Sequence, residues 1–187
     1  MGRPPEFDRA KAVQVAMQLF LDRGYESTSI DDLIEALGIS RASLYNAFGD
    51  KHGLLLEAFC CAELAGCQMR KDVLSQNTSA LRAIREYFEE LRTNKRSCFF
   101  LTLGTELSSA DMSVRKRVRD ALEQSLEMFR ELIVRGQKTG EIPPSVDPSE
   151  AAAALLGATT AILTFNKVCS DPQWTTSVIH HALAAVT

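Results

Sequence analysis

This chain has little of what export, membrane insertion, metal binding or covalent chemistry require. Its first residues lack the basic-then-apolar pattern of an export signal. No charge-free apolar run reaches the ~20 residues of a membrane span, so no membrane partner is expected. The five cysteines (Cys60, Cys61, Cys67, Cys98, Cys169) are odd in number and form no Cys-x-x-Cys pair. That argues against a disulfide scaffold or zinc ribbon and for a reducing cytoplasm. His180 and His181 are adjacent, so on a helix they point about 100° apart and make no natural pair of metal ligands. There is no nucleophile elbow, phosphate-binding glycine loop, paired-histidine zinc motif or dinucleotide fingerprint. Nothing therefore points to an enzyme, a cofactor or a metal. Positive charge is not in excess either: the net charge is −3.

What remains is a chain of 187 residues, 45% hydrophobic and 24% charged, ordinary for a globular protein and long enough for one large domain or for a small domain joined to a larger one. Helical punctuation recurs throughout. The most informative stretch runs from Thr28 to Phe48. Thr28 with Asp31, or Ser29 with Asp32, matches a capping box. Ile30, Leu33, Ile34 and Leu37 share one helical face, and Gly38 stands where that helix ends. Ser40 caps a second short helix, in which Leu44 and Phe48 turn inward and Arg41, Ala42, Ser43, Tyr45 and Asn46 turn outward. Helix, tight turn, helix is the pattern that lays a reading helix in the DNA major groove. The outward set of one arginine, small polar groups and an aromatic suits base edges and phosphates.

The flanking residues make the pattern specific. Gly2-Arg-Pro-Pro-Glu-Phe-Asp8, Leu19-Phe20, Gly24-Tyr25, the segment just described and Phe48-Gly-Asp-Lys51 occur in this order. Together they closely resemble the TetR family of bacterial transcriptional regulators. The resemblance covers about the first quarter of the chain. It implies an all-α fold of about nine helices: an N-terminal three-helix helix-turn-helix head, residues 1–50, on a helical effector-binding and dimerisation body, residues 51–187. It also implies a homodimer that binds double-stranded DNA at a palindromic operator and is released by a small apolar or amphipathic effector. By position, Arg41 and Ala42 match base-reading residues. Tyr45 matches a phosphate or base contact; Thr28, Ser29 and Lys51 match phosphate contacts, with Ser40, Ser43 and Asn46 beside them. Arg3, in a terminal arm, can reach a neighbouring groove or phosphate. Residues 1–52 hold six cations (Arg3, Arg9, Lys11, Arg23, Arg41, Lys51) and eight acids (Glu6, Asp8, Asp22, Glu26, Asp31, Asp32, Glu35, Asp50), which implies few phosphate contacts per head.

Within the head, Asp8 predicts the start of a first helix with Val13, Ala16, Met17 and Phe20 buried; after it, a long helix spans 50–72. Further helices are expected at about 77–93, 98–108, 111–138, 148–168 and 171–186. In the longest, Val118, Leu122, Leu126, Phe129 and Ile133 form a stripe; Glu127 faces Arg130 and Glu131 faces Arg135 on the wet side. Ala151 to Phe165 carries no charge, so it requires burial in a core or against a partner. The family's last two helices form a four-helix bundle with their copies. That places Ala153, Ala154, Gly157, Ala158, Ala161, Trp174 and Ile179 at the dimer interface. Effector candidates are the polar anchors Tyr87, Thr102, Glu106 and Asn166 with the apolar Phe99, Leu103, Phe129 and Phe165. Cys98 follows Lys95 and Arg96 at an expected helix start, a setting that favours a thiolate and hence redox sensing. The competing reading is a helical small-molecule carrier or interaction module that binds no DNA.

Overall fold

The computed structural model describes residues 7–76, 78–94, 98–169 and 171–187. Among them the backbone forms nine α-helices and no strand: α1 (Arg9–Arg23), α2 (Ile30–Leu37), α3 (Arg41–Phe48), α4 (Lys51–Ser75), α5 (Ala80–Asn94), α6 (Phe99–Leu107), α7 (Met112–Thr139), α8 (Pro148–Val168) and α9 (Pro172–Ala184). They gather into two compact units. One comprises Met1–Ala65 with Phe99–Val118, the other Gly66–Cys98 with Arg119–Thr187. The packing thus divides the chain elsewhere than the motif boundary at residue 50, because α6 joins the N-terminal helices.

In the first unit each early helix starts on a side-chain cap. The Asp8 carboxylate accepts from the Lys11 N–H (3.1 Å). Of the two capping boxes the sequence offers, the structure uses Ser29 with Asp32: the Ser29 hydroxyl accepts from the Asp32 N–H and the Asp32 carboxylate accepts from the Ser29 N–H (2.8 Å). Thr28 does something else. It is fully buried, and its hydroxyl donates to the Gly24 carbonyl (2.7 Å), closing the α1–α2 loop. Gly38 ends α2 at φ 64°, a left-handed conformation that glycine adopts without steric cost. The core of this unit is built by Ala16 and Phe20 of α1, Leu33 of α2, Leu44 of α3, Leu54, Ala58 and Phe59 of α4, and Leu103 of α6. Phe59 meets Phe99 edge-on, ring centres 4.8 Å apart.

The second unit packs α8 on α9 and both on α5. Ile84 and Phe88 of α5, Phe129, Leu132 and Ile133 of α7, Leu155 and Ile162 of α8, and Val186 form its core. Asp147 caps α8, accepting from the N–H groups of Ser149 and Glu150, with Pro148 in the first turn where its missing donor costs nothing. Two expectations for α7 change. Leu122 is 43% exposed, because it lies between the stretch that enters the first core (Val114, Val118) and the stretch that enters the second from Leu126 onward. Arg135 does not face Glu131; its Nη1 donates to the Leu74 carbonyl (3.1 Å), a cation at the negative end of α4. Glu127 and Arg130 do pair (2.6 Å). Met112, the first residue of α7, is 71% exposed. By length and composition Pro148–Val168 is apolar enough to cross a membrane. One stripe of it is buried in the unit's own core: Ala151, Ala152, Leu155, Ala158, Thr159 and Ile162.

Burial pushes the Tyr87 hydroxyl up to about 12 against an opposing hydrogen bond with Thr159. The unfolded chain ionises this phenol near pH 10, so stability is full below about pH 10 and is lost as pH rises through about 12. Tyr87→Phe removes this contribution. Urea unfolding between pH 10 and 12 should then show an alkaline loss shallower than wild type by up to about 1.4 kcal/mol per pH unit.

Candidate nucleic-acid interface

Leu44 and Phe48 are buried, which commits one face of α3 to the first unit's core. The opposite face is left to solvent: Arg41, Ala42, Tyr45 and Asn46 are exposed and Ser43 is half-buried. Both ends of this short helix are tied down. The Ser40 hydroxyl accepts from the Ser43 N–H (3.0 Å) and shares a hydrogen bond with the Ser43 hydroxyl (2.9 Å). At the other end Arg9 Nη1 donates to the Ala47 carbonyl (2.6 Å), a positive charge on the negative end of α3. The same guanidinium binds Glu57 of α4 through Nε (3.1 Å) and Nη2, and sits 4.7 Å over the Phe48 ring. Arg9 therefore joins α1, α3 and α4 at one point.

The loop between α1 and α2 is held from both sides. Gly24 takes φ 83°, a conformation that glycine adopts without steric cost. The Glu106 carboxylate accepts from the next two backbone N–H groups, Tyr25 N (3.0 Å) and Glu26 N (2.8 Å). Lys51 Nζ donates to the carbonyls of Tyr25 (2.8 Å) and Thr28 (2.7 Å) and lies 4.1 Å from the Tyr25 ring centre. Nearby, His52 Nε2 and Asp111 Oδ2 are 2.6 Å apart. The Ser113 hydroxyl donates to Asp111, and with His52 and the backbone N–H groups of Val114 and Ser113 it holds that carboxyl well below the usual carboxylate range.

The structure places the expected DNA contacts differently from one another. Arg41, Ala42, Tyr45 and Asn46 share the open face. Ser29, Ser40 and Ser43 hold their helix starts with their hydroxyls, so they offer edges more than free donors. Thr28 is corrected: buried and bonded to Gly24, its side chain cannot touch a phosphate. Lys51 spends two of its three ammonium hydrogens on the loop carbonyls. Arg3 lies outside the described residues. Sequence reasoning missed Arg9 and misplaced Glu106. Arg9 carries no local signal, and the partners of Glu106 lie 80 and 81 residues away.

A pinned two-turn helix that shows a guanidinium fork, an amide, a phenol and a methyl group is able to read base edges. Residues 12–58 match the family described as "Bacterial regulatory proteins, tetR family", and residues 75–182 match "Tetracyclin repressor-like, C-terminal domain". The chain belongs to the TetR family of bacterial transcriptional regulators. It is 32% identical over 166 residues to the HTH-type transcriptional repressor ComR of Escherichia coli K12, covering 82% of this chain and 77% of ComR. It is 31% identical over 178 residues to the HTH-type transcriptional regulator YezE of Bacillus subtilis 168, covering 91% and 92%. Among solved structures, a cysteine mutant of the TetR family regulator CifR complexed with 26-bp double-strand operator DNA superposes with TM-score 0.87 at 30% identity over 100% of each chain. Membership in the TetR family makes this chain a DNA-binding transcription factor rather than an enzyme.

The expected effector residues fall in different compact units of this TetR-family chain. Phe99, Thr102, Leu103 and Glu106 belong to the first, and Tyr87, Phe129, Phe165 and Asn166 to the second. Glu106 is the loop ligand already described. Tyr87 meets Phe129 edge-on at 5.4 Å within the second core, Phe165 meets Trp174 at 5.2 Å, and Asn166 Nδ2 donates to the Leu91 carbonyl (2.7 Å). A cavity of about 440 Å³ in the second unit counts Asn166 in its wall, with Arg92, Thr93, Lys167, Cys169 and Asp171. Its lining is more polar than the apolar pocket expected. Of the expected dimer residues, Ala153, Ala154, Gly157 and Trp174 are exposed and Ala161 is half-buried. Ala158 and Ile179 are buried in the chain's own core, on the stripes where α8 and α9 pack within the second unit.

Replacing Glu106 with Ala strands two backbone N–H groups. Chemical denaturation should show a loss of about 1–3 kcal/mol, most of it retained in Glu106→Gln. Full stability in Glu106→Ala would show that the loop does not depend on this carboxylate.

Proposed function

We propose that two copies of this chain bind a palindromic operator in the cytoplasm as a repressor. An effector, small and apolar or amphipathic, binds within residues 51–187 and releases them. The observation that carries this reading is the open face of α3, with Arg41, Ala42, Tyr45 and Asn46 exposed on a helix anchored at both ends. Residues 1–50, with Lys51 just after them, supply the DNA contacts. Arg41 reads a base edge, Tyr45 meets phosphate or base, and Ser29, Ser40, Ser43 and the remaining Lys51 donor approach phosphates. Arg3 extends the contact from the arm. The likeness to operator-bound CifR supports the docking mode. The exposed small residues Ala153, Ala154 and Gly157, with Trp174 at 51% exposure, support a dimer built on α8 and α9.

Release is a two-state matter. The effector favours a head spacing that no longer fits both half-sites, and a near-complete switch asks for a preference of ~5 kcal/mol between the two states. Tyr87, Phe129, Phe165 and Asn166 with Phe99, Thr102 and Leu103 are the residues we assign to that response. Cys98, directly before α6, is the candidate for a thiol-reactive input. Lys95 and Arg96, which the sequence places beside it, lie outside the described residues.

Arg41→Ala with Tyr45→Ala should abolish footprinting on DNA flanking the protein's own gene, with melting temperature and dimer mass unchanged. Retained protection would favour a carrier or interaction module. Cys98→Ser should leave operator affinity intact and remove any release by oxidants or electrophiles; release that persists unchanged rules the thiol out.

A further inference from the structure

Of the cations described among residues 7–52, all but Lys11 are already engaged. Arg9 holds Glu57, Arg23 holds Asp32 (2.8 Å), Arg41 holds Asp31 (2.5 Å), and Lys51 holds two carbonyls. Three of these attachments have evident structural work. Arg9 and Lys51 fix α3 and the α1–α2 loop, and Arg23 braces the acid of the α2 capping box. The fourth does not. Asp31 takes no part in the capping box, and its side chain is 80% exposed. Its partner Arg41 is 53% exposed, and a pair so open to water adds little to the fold. Yet it engages the one arginine on the open face of α3.

The geometry of that engagement matters. Asp31 Oδ1 takes one hydrogen of Arg41 Nη2 and leaves the other Nη2 hydrogen, with its parallel neighbour on Nη1 or Nε, as one intact edge of the guanidinium. A bidentate contact to guanine O6 and N7 needs two donors in a fixed plane. An untethered arginine at the start of α3 would instead reach for any nearby phosphate, a contact that carries no sequence information. Asp31 also offsets the Arg41 charge, so nonspecific phosphate binding must first break the pair.

We propose that Asp31 is a specificity-determining positioning residue: it holds the Arg41 guanidinium for a base edge and keeps it from the phosphate backbone. This rests on the reading of α3 as the DNA-contacting helix. The occupant is double-stranded DNA at the operator. The device sets the gap between operator and nonspecific sites rather than the operator affinity alone.

The test is a double-mutant cycle with the full-length protein. Equilibrium binding is measured for wild type, Asp31→Asn, Arg41→Ala and the double variant. The two probes are the footprinted operator and a scrambled duplex of equal length, each at two salt concentrations, with thermal melts confirming the fold. Asp31→Asn should tighten scrambled-DNA binding, steepen its salt slope by about one phosphate contact and lower the operator-to-scrambled ratio about tenfold. In the Arg41→Ala background the same substitution should leave that ratio unmoved. An unchanged ratio in Asp31→Asn overturns the proposal. So does an equal fall with Arg41 absent, which would make Asp31 a general repeller of DNA. Operator binding unaffected by Arg41→Ala would instead sink the reading of α3, and the proposal with it; that result shows in the single variant before Asp31 is touched.

Discussion

A carboxylate on one side of the six-residue α1–α2 loop and an ammonium on the other set the geometry of the head. The Tyr25 and Glu26 N–H groups face Glu106, while the Tyr25 and Thr28 carbonyls face Lys51. Each loop edge thus meets the charge it prefers. Thr28 closes the loop on itself through the Gly24 carbonyl. Because α2 follows directly, this loop fixes the angle at which α2 leaves α1. The tight turn at Gly38 then fixes α3 relative to α2. An outward Arg41 or Tyr45 is useful only if that chain of angles is rigid, since direct base readout depends on a fixed frame.

The acid-rich head is the second constraint. Its acids are not spread idly over the surface: Asp8 and Asp32 cap helices, and Asp31 and Asp32 engage arginines. Helix starts call for negative charge, and a three-helix head has several of them close together. The same acids that build the fold then subtract from the attraction to DNA, leaving shape and a few directed contacts to carry recognition.

Local chemistry was legible in the sequence; distant chemistry was not. The α2 and α3 caps, the Gly38 stop, the inward Leu44 and Phe48, and the nine helices all follow from patterns a few residues long. The choice between Thr28 and Ser29 as cap was decided by burial: a side chain fully enclosed under the loop cannot also sit at an exposed helix start. Leu122 kept the right spacing yet faces water, because periodicity assumes that one helix serves one core, whereas α7 contributes to two. Ala158 and Ile179 lie on the packed stripes of α8 and α9, while Ala153, Ala154 and Gly157 are exposed. A small-residue helix with both a packed and an open face gives no sequence sign of which alanine lies on which. Glu106 and Arg9 act across 80 and 48 residues, where no pattern reaches.

The first unit is assembled from two separate stretches of chain, Met1–Ala65 and Phe99–Val118. During synthesis, therefore, the helix-turn-helix segment emerges long before the residues that complete its core, Leu103 and Leu107 of α6 and Val114 of α7. The nascent head waits with its hydrophobic side uncovered, and only translation past α6 seals it. Order of manufacture thus places part of the reading helix's support in the middle of the protein, and a fragment that stops before α6 lacks that part of the core.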